Sequence, residues 1–78
     1  MMAPERIRTI LLAALPGAEV DVKDLTGTQD HFEATVTAPQ FDGKSRIEQH
    51  QMVYRALGDS MKADIHALAL TTRPRPSP

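Results

Sequence analysis

The stretch from His31 to Thr72, HFEATVTAPQ FDGKSRIEQH QMVYRALGDS MKADIHALAL TT, decides the fold because its hydrophobic period changes twice. First, Phe32, Ala34, Val36 and Ala38 alternate with polar neighbours, the period of a strand with one buried face, until Pro39 stops it. Phe41-Asp42-Gly43-Lys44 then turns the chain, and Ser45 followed by Glu48 spells a capping box. Behind the box Ile47, His50, Val53, Tyr54, Leu57 and Met61 recur at three- and four-residue spacing. That spacing predicts an amphipathic helix ending near Gly58 or one turn later. From Ile65 to Thr71 the pattern becomes a strand with apolar residues on both faces, which predicts a more buried position than that of any other strand. A strand, a crossover helix and a further strand predict parallel pairing within one sheet.

Working outward, Glu19 to Lys23 carries Val20 and Val22 in alternation with charged residues, and the short polar segment Thr26-Gly27-Thr28-Gln29-Asp30 joins it to His31. Together the two runs read as an antiparallel hairpin. Upstream, Pro4 and Glu5 suit a first helical turn, Ile7, Ile10, Leu11, Ala14 and Leu15 form one stripe, and Pro16-Gly17 ends that helix. The tail from Arg73 to Pro78 is rich in proline and predicts an extended, flexible segment that does not pair as a strand. The expected architecture is α+β, in the order α-β-β-α-β, with a three-stranded mixed sheet and both helices on one face.

A chain of 78 residues makes one domain. It contains no cysteine, which excludes disulfides, cysteine zinc sites and thiol catalysis by the chain itself. The formal net charge of −1 argues against a strongly electrostatic nucleic-acid binder. The first residues lack a signal-peptide pattern and no apolar run reaches membrane-spanning length, so the expected compartment is the cytoplasm, without membrane insertion. Lys44, Arg46, Arg55 and Lys62 are interleaved with Glu48 and Asp59, the pattern of a solvated face more than of a phosphate-binding strip.

Three histidines are the candidates for chemistry. His50 sits in the helical stripe and reads as a structural histidine, with ligation as the alternative. His66, between Ile65 and Ala67, reads equally as a ligand or as an ordinary strand residue. His31 opens a strand beside Asp30, where it can swing toward a metal or remain solvated. His31 and His66 together supply half of a metal's coordination sphere; with no third protein ligand they make a poor zinc site. No Ser-His-Asp or paired-carboxylate spacing is present, and the expectation is a binding protein, not an enzyme. The element order is that of type II KH-like domains, without the Gly-x-x-Gly loop that brings backbone to phosphates.

Asp30-His31-Phe32, Phe41-Asp42-Gly43-Lys44, Glu48 to Tyr54, Ala56-Leu57 and Ile65-His66-Ala67-Leu68 together resemble the BolA family, in its compact bacterial form. The resemblance spans the first helix to Thr72, making residues 1–72 a BolA-like domain and 73–78 its flexible tail. It implies a KH-like fold without Gly-x-x-Gly, and a partner: a monothiol glutaredoxin with which a 2Fe-2S cluster is shared, in iron–sulfur cluster handling, iron sensing or stress response. In such a complex the glutaredoxin cysteine and glutathione supply sulfur. The BolA-like chain supplies its strand histidine, here His66, and a second ligand from the hairpin loop. The relatives' loop cysteine falls at or near Thr28 here, with His31 the nearest substitute. Alone, the chain is expected to be a monomer or weak homodimer. The runner-up reading is a nucleic-acid-binding regulator. Its usual Arg-His-Arg motif is Gln49-His50-Gln51 in this chain, which removes two cations and leaves at most weak nucleic-acid binding.

Overall fold

The computed structural model describes residues 3–25, 27, 31–58 and 67–75. The elements run α1 (Pro4–Ala14), β1 (Glu19–Asp24), β2 (His31–Ala38), a 3-10 turn (Pro39–Phe41), α2 (Arg46–Leu57) and β3 (Ala67–Pro74). The sheet order is β1-β2-β3, with β1 antiparallel and β3 parallel to β2. The α+β order and the mixed sheet are therefore as the alternation predicts.

Alternation along β2 separates the two faces of the sheet. Phe32, Ala34, Val36 and Ala38 are fully buried under the helices with Ile7, Leu11, Leu15, Val20, Phe41, Val53 and Leu57. His31, Glu33, Thr35 and Thr37 fall on the opposite, uncovered face. On α1 the buried stripe is Ile7, Leu11 and Leu15, with Ile10 at its margin and Ala14 exposed.

Two expectations for β3 are corrected. Its described residues lie at the sheet edge, and Ala69, Thr71 and Arg73 are exposed; the central and most buried strand is β2. A strand apolar on both faces is ambiguous between deep burial and an edge of small residues, and Ala69 supplies a small, exposed one. The tail also pairs further than its prolines suggest. Arg73 and Pro74 align with Thr37 and Ala38, and Arg75 N–H donates to the Ala38 carbonyl at 3.0 Å. A proline is compatible with this position because its missing donor falls on the edge side of the strand. Arg75 then reaches back over the α1–β1 turn, donating to the Gly17 carbonyl at 2.7 Å, with Glu19 at 3.8 Å. Residues 76–78, like Ile65 and His66, lie outside the described residues.

The capping box forms as predicted. Glu48 N–H donates to Ser45 Oγ at 3.2 Å and Ser45 N–H donates to a Glu48 carboxylate oxygen at 3.1 Å. The Ser45 backbone bond, with its hydroxyl second, holds the Glu48 carboxyl below the usual carboxylate range. A depressed folded pKa gives stability that is present above the unfolded pKa and lost as pH falls through the folded one. Ser45→Ala removes the side-chain acceptor of the N-cap and is expected to cost about 1 kcal/mol. In Glu48→Gln, which removes the carboxylate, urea unfolding should show a penalty at neutral pH that narrows as the medium is acidified through the carboxylate range; a penalty independent of pH would contradict the reciprocal box.

Candidate functional site

The second long helix buries a different face from the one its apolar residues predict. Gln49, Val53 and Leu57 are buried, with Met52 and Ala56 packed against the core, while Ile47 is 72% exposed and Tyr54 39%. At about 100° per residue, Ile47 and Tyr54 lie roughly 130–150° from the centre of the buried face, and His50 about 90°. Met61, the last residue of the predicted stripe, lies outside the described residues.

Gln49 accounts for this rotation. Its Nε2 donates to the carbonyls of Lys44 at 2.9 Å and Phe41 at 3.3 Å, and its Oε1 accepts from Thr72 Oγ1 at 2.7 Å. Gly43, at φ 76°, closes the turn that aims those two carbonyls inward. One amide thereby ties α2 both to the turn preceding it and to β3. A polar residue in phase with Val53 and Leu57 is the signal the apolar pattern overlooks.

His50 is consequently half-buried at the margin of the helix–sheet interface, not inside it. Its ring meets Tyr54 edge-on, with centroids 6.3 Å apart and planes at 86°. With Arg46, Leu70, Thr71 and Thr72 it lines a cleft of about 250 Å³ between α2 and β3.

His31 stands elsewhere. It opens β2 on the uncovered face, half-buried, and its carbonyl accepts from Leu25 N–H at 2.9 Å across the hairpin. Its register partner on β3 is Ala67, the residue that follows His66 in the chain. His66 itself lies outside the described residues. The residues Leu70–Thr72 beside His50 pair with Ala34–Val36, which puts His50 roughly 10–17 Å along the sheet from the level of His31. His31 and His50 are thus not brought together.

Among the described residues no three His, Asp or Glu side chains cluster closely enough to hold a metal. A metal held at His31 needs donors from outside that set. The His31 side chain is half-buried, on a face that no helix covers among the described residues. Among the described residues no helix is long and apolar enough to cross a membrane.

Comparison with known proteins places this geometry in a family. The model of the BolA-like protein family matches residues 14–75. The chain is 32% identical to the DNA-binding transcriptional regulator BolA of Escherichia coli, over 92% of this chain and 75% of the other. It is 37% identical to Protein BOLA2 of Arabidopsis thaliana, over 90% and 75%. The fold matches the structure of a BolA protein homologue from Coxiella burnetii with a TM-score of 0.80 at 35% identity, covering 95% of this chain and 92% of that one. With its α+β order, its mixed sheet and a family match reaching from the end of α1 to Arg75, the chain belongs to the BolA family.

Proposed function

We propose that this chain is a non-enzymatic partner of a monothiol glutaredoxin and shares a 2Fe-2S cluster with it, in iron–sulfur cluster handling or iron sensing. The observation that carries the reading is the placement of His31 in a chain of this family. It is a half-buried imidazole at the start of the central strand, level with the residue that follows His66. With no cysteine in the chain, every thiolate donor must come from outside, from the glutaredoxin thiolate and glutathione. His66 and His31 would hold the cluster from this side as neutral nitrogen donors, and the cluster would supply one-electron chemistry or be passed on. We place the complex in the cytoplasm as part of this proposal, with the chain a monomer or weak homodimer before it meets its partner.

The test mixes the purified chain with a monothiol glutaredoxin, iron, sulfide and glutathione, and records visible absorption, circular dichroism and size exclusion. A one-to-one complex with a spectrum distinct from that of the glutaredoxin homodimer is expected. Unchanged homodimer signals and separate elution would sink the reading.

A second reading, a nucleic-acid-binding regulator, draws on the Escherichia coli relative's name. The cations along α2 argue against strong binding. Lys44, Arg46 and Arg55 are exposed but interleaved with exposed Glu48, and position 49 faces the core. Each neutralised phosphate contributes about one unit of salt slope, so few contacts mean weak binding at physiological salt. The same preparation titrated with duplex DNA is expected to bind no tighter than about 1 µM. A footprint on a defined promoter that random DNA competes poorly would put the regulator first.

A further inference from the structure

The cleft between α2 and β3 lies against the edge of the sheet. Leu70, Thr71 and Thr72 are consecutive, and consecutive strand residues alternate between faces, so all three can line one cleft only where it runs along the strand's edge. The hydrogen-bond parity of β3 shows which backbone groups meet it. Arg75 N–H donates to Ala38 in β2, so the N–H groups of Arg73 and Thr71 point the same way. Those of Leu70 and Thr72 point to the opposite side, toward the cleft. Across from them stand Arg46 and His50, one helical turn apart on α2.

Among the described residues no acidic side chain lines the cleft and Arg46 makes no ion pair. Glu48 is occupied by the capping box, and with Gln51 it borders a separate depression beside Lys44, Met52 and Arg55. The Thr72 hydroxyl is spent on Gln49, and Thr71, the register partner of Thr35, turns its side chain to the uncovered face, so the strand meets the cleft with its backbone amides. The cleft is therefore bounded by donors of three kinds: a guanidinium fork, an imidazole and outward-facing amides. The capping box already serves the first turn of α2, so side chains and strand amides, not the helix terminus, define the site.

We propose that this cleft binds a phosphate group, as free phosphate or as a small phosphate monoester, with Arg46 as its principal anchor and His50 and the edge of β3 as flanking donors. A guanidinium fork matches a phosphate in bidentate fashion, and such charge-assisted contacts are stronger than neutral ones. A volume of about 250 Å³ admits a tetrahedral oxyanion together with a few further heavy atoms or its waters. Nothing in this assignment depends on the cluster or on His31 and His66.

The test titrates the isotopically labelled chain with potassium phosphate, and separately with glycerol phosphate, against potassium chloride at matched ionic strength, following backbone amide shifts. Saturable shifts confined to Arg46, His50 and Leu70–Thr72 are expected, with a Kd near ~1 mM, weakened about tenfold in Arg46→Gln and less in His50→Gln. Both variants should keep the wild-type circular dichroism, since Arg46 is exposed and His50 marginal. Tighter binding of glycerol phosphate identifies an esterified ligand, and tighter binding of inorganic phosphate a free one. Shifts that rise without saturation, that appear equally at Lys44 and Arg55, or that persist unchanged in both variants would overturn the proposal.

Discussion

Replacing Gln49 with alanine is expected to destabilise the protein by about 3 kcal/mol, the cost of leaving several polar groups unpaired in a partly dry interior. The wild-type amide satisfies the Phe41 and Lys44 carbonyls and accepts from Thr72, and the residue is 7% exposed. For a domain of this size each kcal/mol lowers Tm by roughly 4–8 °C, so a drop of about 12–24 °C should appear on thermal unfolding. Gln49→Leu fills the space yet leaves the same groups unpaired, so it should recover only the packing part of the loss. Thr72→Val removes a single donor and should cost about 1 kcal/mol. Combining Gln49→Ala with Thr72→Val should then cost less than the sum of the two, because the pair shares one bond. A Gln49→Ala variant within about 0.5 kcal/mol of wild type would mean that these bonds do not hold the helix.

The same residue marks the limit of what the hydrophobic pattern can say. Strand β2, the hairpin, the capping box and the crossover are legible because each rests on a local rule: alternation, a glycine-bearing connector, Ser45 with Glu48, strand–helix–strand order. The rotation of α2 is not local. A three- and four-residue count admits Ile47 and Tyr54 as readily as Met52 and Ala56. What selects between them is a hydrogen-bond partner 23 residues away on β3, which no window around the helix contains. The edge position of β3 is hidden for a related reason. Alanine reads as apolar and hence as buried, although at a sheet edge its small side chain carries little penalty for exposure. The pairing of Arg73 and Pro74 is set by register with Thr37 and Ala38, which outweighs a composition that otherwise signals a free tail. Of the candidate site, His31 is legible as a strand-opening residue, and its uncovered face follows from the parity of Phe32. The placing of His50 follows from the helix rotation and is lost with it.

Removing both proposed cluster donors, His31→Ala with His66→Ala, is expected to abolish the distinct heterodimer spectrum and return the glutaredoxin to its own homodimer signals. The chain has no cysteine to take their place, and its remaining histidine, His50, lies roughly 10–17 Å along the sheet from the level of His31. Of the single variants, His66→Ala should alter the spectrum more than His31→Ala, since the family resemblance assigns His66 as the constant donor and His31 as the substitute for a loop ligand. His50→Ala should leave the cluster signals in place. Reduction potential offers an independent reading. A neutral imidazole in place of a thiolate removes negative charge from the iron, which favours the reduced state and raises the potential, on the order of 100 mV or more above an all-thiolate cluster. The wild-type heterodimer should therefore reduce at a higher potential than the glutaredoxin homodimer, and each single histidine variant that still binds a cluster should move toward the homodimer value. A wild-type potential equal to or below that of the homodimer, or a double variant with an unaltered spectrum, would show that neither His31 nor His66 is a cluster donor.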